Sequence, residues 1–372
     1  MTPTPIKVRG AVLEECGRSQ PFRESRPIKI SELELDPPGY GELRVQIEVA
    51  GLCHSDLSVV NGSRIRPTPL VLGHEASGIV QELGEGTTKV SVGDRVVLTF
   101  LPRCDECRAC ITGTIAPCQK GSVSNNAGTL LSGERRLHRD GQPVNHHLGV
   151  SAFATQAVVS EKSVVRVDSD IPANIAALLG CAVLTGGGAV KNAGQFRPGD
   201  SLAILGLGGV GMAALLVSLA MGAKGVTVVD SQKKKLELAL ELGASQAFLP
   251  EELPSELTVD LVVEAAGNAR AFEAALGLTG PGGKLVTVGL PDPGDRVSIS
   301  PLALVATGKS IIGSYLGSSD PEEDIPFYLE LWKQELLPLE KLVSAEIELD
   351  SINSAMDDLQ SGQAIRQIIR FI

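Results

Sequence analysis

Four cysteines, Cys104, Cys107, Cys110 and Cys118, form Cys-x-x-Cys-x-x-Cys with a fourth thiol after a seven-residue gap. Tetrahedral zinc accepts four thiolates, and such short spacing lets one loop wrap one ion. The other reading of the run is a pair of disulfides, but MTPTPIKVRG at the N-terminus has neither the apolar core nor the small-residue cleavage site of an export signal. With four ligands in place such an ion has no open position, so the site is expected to pin its loop rather than do chemistry. Among the remaining thiols, Cys53 opens CHSD and Cys181 lies in LLGCAVLTG, while His74 lies in GHEASG. Each taken singly is more often a buried thiol or a satisfied core histidine than a ligand. As a set they are candidate ligands for a second ion. Cys16 has no such company and reads as structural.

A second chemistry is written in LAILGLGGVGMAALL. Gly206, Gly208 and Gly211 form G-x-G-x-x-G directly after a strand-like run and at the start of a helix-like one, with Gly209 and Val210 inside the turn. Glycine is needed there for the tight turn, for close approach of a pyrophosphate and for helix-to-strand packing, and the helix N-terminus offers free N–H donors to the phosphates. Asp230 closes the next strand-like run about 20 residues on, where a carboxylate bonds the adenosine ribose hydroxyls and repels a 2′-phosphate. NAD is therefore expected over NADP. The alternative is a glycine-rich helix packed on a sheet without any nucleotide.

Positioning these groups takes two kinds of scaffold. From Lys7 to about Phe100, short runs such as LRVQIEVA from Leu43 and RVVLTF from Arg95, broken by Gly and Pro, read as an all-β half. Residues 104 to 147 lack periodicity and read as long surface loops. From about residue 183, apolar strands alternate with helical stretches: LAIL from Leu202, VTVV from Val226, LVVE from Leu261 and KLVTVG from Lys284, with KKLELALELG from Lys234 ending at Gly243. That is an α/β series with a parallel sheet covered on both faces. The three candidate ligands would thus meet where the patterning changes, at a domain junction, and clefts there are natural active sites.

A chain of 372 residues accommodates two domains, and 43% hydrophobic with 21% charged residues describes a folded globular protein. The formal charge of −11 disfavours nucleic acid and anionic membranes as partners. The uncharged run from Leu202 to Met221 has bilayer length, but the glycines at its start fit a buried strand turning into a buried helix. The expected location is cytoplasmic.

Together GLCHSD, LGHEASG, the four-cysteine run, GCAVLTGGGAV, GLGGVG with Asp230 and Lys235, and SGQAIR resemble the medium-chain, zinc-containing alcohol dehydrogenases, particularly their long-loop branch with class I and class III enzymes. The resemblance spans nearly the whole chain. It implies a GroES-like catalytic domain, residues 1–182 and 325–372, with a Rossmann domain of doubly wound parallel sheet, residues 183–324, inserted between them. Two zinc ions per chain are implied as well. Cys53, His74 and Cys181 would surround a catalytic zinc, leaving a fourth position for water or the substrate oxygen; the four-cysteine run would hold a structural one. Asp56 would support His74 from behind, Glu75 would lie beside the metal, and Ser55 would take the alcohol's proton. Many relatives pass that proton on through a histidine three residues later; here that residue is Ser58, so water or His54 replaces it. His54 and Arg366 match pyrophosphate contacts, although His54 also reads as a plain loop residue. Lys235 matches a lysine near the adenosine ribose, and Val288 and Leu290 match the strand end whose backbone meets the nicotinamide amide.

The implied activity is hydride transfer between an alcohol and NAD, giving an aldehyde or ketone. Phe100 falls where relatives place an aromatic wall beside the zinc, which favours alcohols with apolar bulk, or it is simply core. Arg64 and Arg66 precede the GHE motif in a loop that borders the substrate entrance of relatives; an anionic substrate and a solvated loop both account for them. Class III-like oxidation of a thiol adduct of formaldehyde fits less well, because Arg64 stands in a loop where those enzymes place acids and Ser122 where they place an arginine. A zinc-free quinone or enoyl reductase would have no reason to assemble Cys53, His74 and Cys181, and a non-catalytic NAD-binding protein would tolerate loss of Ser55 or a ligand. The loop after Cys118 is typical of dimeric relatives, so a homodimer is expected, with a homotetramer next.

Overall fold

The computed structural model describes residues 4–113, 116–362 and 364–371. The chain divides into two compact units, Met1–Cys181 with Val343–Ile372, and Ala182–Leu342.

The first unit is built from two β systems. Ile6–Leu13, Ile28–Leu35, Leu137–Arg139, Gln142–His146 and Leu70–Val71 close into a barrel. Alternation along Ile28–Leu35 sends Leu33 and Leu35 inward, where they pack with Val8, Val12, Val71, Leu137 and Val144. In the other system Val164–Val167, Arg95–Leu98, Ala76–Leu83, Glu42–Leu52, Gln367–Arg370 and Ala345–Ile347 lie side by side in that order, and Gln156–Ser160 also pairs with Glu42–Leu52. Glu42–Leu52 delivers Cys53 at its end. Gln367–Arg370 sits inside this sheet although it follows the whole second unit in sequence. Its Ile368 packs with Val49 and Ala177.

Residues 104 to 147, expected as loops, carry two helices, Arg108–Thr112 and Gln119–Ala127, and the hairpin Leu137–Arg139/Gln142–His146. Gln119–Ala127 is mostly polar, with Val123 exposed, and has no apolar stripe to betray it. It is held at its ends instead: Gly121 N–H donates to the Cys118 sulfur at 3.3 Å, and Gly128 closes it in the left-handed region at φ 69°.

The second unit is a parallel sheet in the order Gln246–Phe248, Val226–Val229, Leu202–Leu205, Val259–Glu264, Thr279–Thr287, Ser310–Gly313. Counted within the unit this is the doubly wound order, which opens a crevice where the winding reverses, between Leu202–Leu205 and Val259–Glu264. The uncharged run from Leu202 is one of these strands followed by the buried helix Gly209–Ala220. One further helical run, Ala173–Ala193, is long and apolar enough to cross a membrane by length and composition, and 89% of its most apolar window is buried inside the protein. The second unit extends past the expected boundary at residue 324. Helix Pro321–Lys333 lays Tyr328 against Gly187 and pairs Asp324 with Lys191 at 2.7 Å, so the return to the first unit falls at Val343 and not at 325.

Candidate metal centre and dinucleotide loop

Three local devices bring Cys53, His74 and Cys181 together within the first unit. Cys53 is the N-cap of the short helix His54–Val60, and Asp56, its third residue, accepts the Cys53 N–H at 3.2 Å. The other oxygen of Asp56 accepts the Gly73 N–H at 3.1 Å and lies 3.1 Å from His74 Nδ1, so one carboxylate ties the helix to the segment that carries the imidazole. Cys181 arrives on a π-turn, Leu179–Val183, a distortion that re-aims a side chain out of α-helical phase. The close approach this needs is possible because residue 180 is glycine: a Cβ there would lie 2.3 Å from the Leu98 carbonyl oxygen.

One ligand atom each of Cys53, His74 and Cys181 fall within 4.8 Å of one another, and all three residues are buried. Nδ1 of His74 is committed to Asp56, which leaves Nε2 as the nitrogen free to ligate, and Nε2 is a buried polar atom without a hydrogen-bond partner. Buried polar atoms are almost always paired. An orphan imidazole nitrogen beside two sulfurs is the donor set of a zinc ion with one position left open.

The same groups are strongly coupled electrostatically. Burial works to lower His74, but the Asp56 carboxylate outweighs it and leaves the ring well above its ordinary value, while His74 in turn holds Asp56 below the usual carboxylate range despite its burial. The two thiols share a proton, so that the hydrogen bond from Cys181 holds Cys53 well below the ordinary thiol range and pushes Cys181 up. Phe100 stands edge-on to His74, ring centroids 5.4 Å apart at 86°.

The sulfurs of Cys104, Cys107, Cys110 and Cys118 also gather within 4.8 Å, with Cys107–Cys110 at 3.5 Å and Cys104–Cys110 at 4.0 Å. A tetrahedral zinc with bonds of about 2.3 Å holds its sulfurs about 3.8 Å apart. A disulfide needs about 2.0 Å, and all seven cysteines are free. The N–H groups of Cys107 and Gly121 donate to the sulfurs of Cys104 and Cys118, each at 3.3 Å, as thiolates favour.

In the second unit the glycines of the turn after Leu202–Leu205 have distinct duties. Gly206 has φ 89°, and a Cβ on Gly211 would lie 1.8 Å from the Gly206 carbonyl oxygen, so the helix packs here only on a bare backbone. A Cβ on Gly208 would meet nothing within 4 Å, which leaves the helix N-terminus at Gly209 open to a ligand. Asp230 accepts the Leu207 N–H at 2.6 Å and the Gln232 N–H at 2.8 Å, fixing a carboxylate beside that opening.

Comparison with known proteins gives the same answer over nearly the full length. Residues 39–169 match the alcohol dehydrogenase GroES-like domain and residues 209–333 the zinc-binding dehydrogenase family. The chain is 38% identical over 375 residues to the "Putative alcohol dehydrogenase D" of Mycobacterium tuberculosis, covering 98% of this chain and 100% of that one. The chain belongs to the medium-chain zinc alcohol dehydrogenase family. Two solved members share the fold at 31% identity, each covering 99% of this chain and 100% of its own. They are an alcohol dehydrogenase zinc-binding domain protein from Burkholderia ambifaria, at a TM-score of 0.92, and benzyl alcohol dehydrogenase from Acinetobacter calcoaceticus, at 0.90.

The remaining residues of this dehydrogenase fall as follows. Ser55 is half-buried on the helix that starts after Cys53, and exposed His54 offers its carbonyl to the Ser58 hydroxyl at 2.8 Å. Arg366 does not stand free for a phosphate. It is 2% exposed, its Nη1 donates to Glu75 Oε1 at 2.5 Å and to the Leu52 carbonyl at 2.9 Å, and its Nε has no partner. Burial pushes the Glu75 carboxyl up to about 7 against the pull of Arg366. Arg66 donates to Asn126. Lys235 lies half-buried on Lys233–Glu241, Val288 is buried and Leu290 is exposed. Two residues escaped the sequence reading. Buried Glu264, closing LVVE, accepts the Gly267 N–H at 2.6 Å and the Thr287 hydroxyl at 2.7 Å. His147 joins Asp56 and His74 in a third buried cluster; its signal was a second histidine in VNHHLGV, where a strand leaving the barrel has no use for one.

Proposed function

We propose that this chain is an NAD-dependent zinc dehydrogenase that transfers hydride between an alcohol and nicotinamide, giving an aldehyde or ketone. The observation that carries the reading is the orphan Nε2 of His74 beside the sulfurs of Cys53 and Cys181. Those three residues would hold a zinc ion, and Cys104, Cys107, Cys110 and Cys118 a second, structural one. Bound at the three-ligand site, zinc supplies a Lewis acid that favours the alkoxide, the hydride-donating form of an alcohol. Asp56 fixes the tautomer and direction of His74. Ser55 would accept the hydroxyl proton of the substrate while passing its own to water or to His54, since a hydroxyl donates and accepts at once. Glu75 is kept by Arg366 and stands in reserve beside the ligands.

Gly206, Gly208, Gly209, Val210 and Gly211 would cradle the pyrophosphate, with Asp230 and Lys235 at the adenosine ribose and Val288 and Leu290 at the nicotinamide amide. Phe100, together with the likeness to a benzyl alcohol dehydrogenase, supports alcohols with apolar or aromatic bulk as substrates. A homodimer fits the second unit, whose edge strand Ser310–Gly313 pairs, among the described residues, on one side only and whose neighbouring helix exposes 77% of Leu302 and 82% of Val305.

The test is a panel of benzylic, aliphatic and anionic alcohols, with a thiol adduct of formaldehyde as a further arm, run with NAD and NADP before and after chelation. Two zincs per chain, turnover with NAD, and its loss on stripping are expected. Turnover that survives complete removal of metal would overturn the reading, and equal use of NADP would overturn the role of Asp230.

A further inference from the structure

Glu264 puts a carboxyl where the sheet otherwise buries apolar side chains. It closes Val259–Glu264 directly after Leu261, Val262 and Val263, and it is 1% exposed. Burying such a group costs free energy unless its oxygens are paired. Both are: Oε1 accepts the Gly267 N–H at 2.6 Å and Oε2 accepts the Thr287 hydroxyl at 2.7 Å. The two donors stand on different segments, Gly267 in the turn after Val259–Glu264 and Thr287 at the end of the neighbouring strand Thr279–Thr287. The parallel ladder between those strands stops at the Glu264–Thr287 pair. Past it, the N–H groups of Val288 and Gly289 both donate to the Glu264 carbonyl, at 2.9 and 3.1 Å. The segments also pack backbone on backbone. A Cβ on Gly289 would lie 2.4 Å from the Gly267 nitrogen, a Cβ on Gly267 2.9 Å from the Leu290 nitrogen, and a Cβ on Gly206 2.6 Å from the Ala266 nitrogen. An unbroken run of contacts thus joins the glycine turn at Gly206 to Val288–Leu290, with the Glu264 carboxyl in its middle.

We propose that Glu264 is a positioning residue for the nicotinamide half of the cofactor: by bonding Gly267 and Thr287 together it fixes the strand end Val288–Leu290 relative to the glycine turn. The inference rests on the dinucleotide reading of that turn and of Asp230. Asp230 follows Val226–Val229, on one side of Leu202–Leu205, while Val259–Glu264 and Thr279–Thr287 lie on the other. A dinucleotide with its adenosine at Asp230 and its pyrophosphate at the Gly206 turn therefore carries its second nucleotide toward the ends of those two strands. The competing effect is stability, because leucine at 264 would spare the burial of a carboxyl. It would also leave the Gly267 N–H without that acceptor and release the Thr287 hydroxyl. Glutamine separates the two effects: its carbonyl oxygen accepts the Gly267 N–H and its amide donates to the Thr287 oxygen, so both links survive without the charge.

The test compares two ligands on the intact protein: NADH, followed by its fluorescence, and ADP-ribose, followed by calorimetry. ADP-ribose keeps the adenosine and the pyrophosphate but has no nicotinamide, so its binding also records whether the second unit is folded. Glu264→Leu should weaken NADH about tenfold or more and leave ADP-ribose within about twofold of the wild type. Glu264→Gln should bind both ligands as the wild type does. If the leucine variant does not fold, Thr287→Val, which removes one of the two donors and keeps the shape, should show the same selective loss at about threefold or more. A wild type that binds neither ligand removes the dinucleotide reading and the inference with it. A wild type that binds both overturns the role of Glu264 alone if the leucine variant loses the two ligands equally or keeps both. Glutamine no better than leucine overturns it as well.

Discussion

Ser55 and Ser58 stand one turn apart on the same short helix, and their hydroxyls have different commitments. That of Ser58 is spent on the His54 carbonyl at 2.8 Å, a bond that closes within its own helix. Ser55→Ala should therefore slow turnover by about 10²-fold or more, as loss of a proton-transfer group does, while Ser58→Ala changes it less than about threefold; steady-state kcat for the two variants decides. His146 offers a pH test away from the ligands. Its Nε2 accepts the Arg136 N–H at 3.1 Å, and burial, with Arg135 behind it, depresses the ring from 6.5 to about 3. A folded value below the unfolded one means stabilisation that is complete above pH 6.5 and is lost as pH falls toward about 3. The loss over that window is roughly 3–5 kcal/mol. His146→Gln, which keeps an acceptor for Arg136, should flatten the slope in denaturant melts across that range. An unchanged slope would contradict the assignment.

Elements were readable where a hydrophobic pattern and a special backbone agreed. Leu202–Leu205, Val226–Val229 and the helix ending before Gly243 fall where period and glycine placed them, because strands covered on both faces must be apolar throughout. The candidate ligands were legible because zinc restricts which side chains could serve, whatever the fold. Illegible were contacts made across long separations. Nothing local links Arg366 to Glu75, or His147 to Asp56, and polar Gln119–Ala127 is defined by its caps alone. The turn after Leu202–Leu205 gives the prediction at this scale. Gly211→Ala puts a methyl 1.8 Å from the Gly206 carbonyl, forcing the helix off the loop at a cost of about 1–3 kcal/mol. Fluorescence titration should show NADH affinity reduced at least tenfold with zinc content untouched; equal affinity would mean that the dinucleotide does not use this turn.

At the scale of the molecule the first unit is completed by residues that follow the second. Ile368 is 1% exposed on the inner strand Gln367–Arg370 and joins Val49 and Ala177 in one cluster. Truncating it to alanine should lower stability by about 2–5 kcal/mol. Because the strand also carries Arg366 in from beside it, the three-ligand zinc should loosen in the same variant, while the four-cysteine zinc, which lies on elements formed earlier in the chain, stays. Metal analysis after mild denaturant reads both.

That threading also governs the order of birth. With synthesis at roughly 5–20 residues per second, a ribosome needs on the order of ten seconds to make Ala182–Leu342 after Cys181 has emerged. Throughout that interval the nascent first unit has its thiols and imidazole but neither its inner strand nor its arginine. Any metal donor or holdase acting on this chain meets an open sheet edge, and the centre is sealed only when the final stretch slots in.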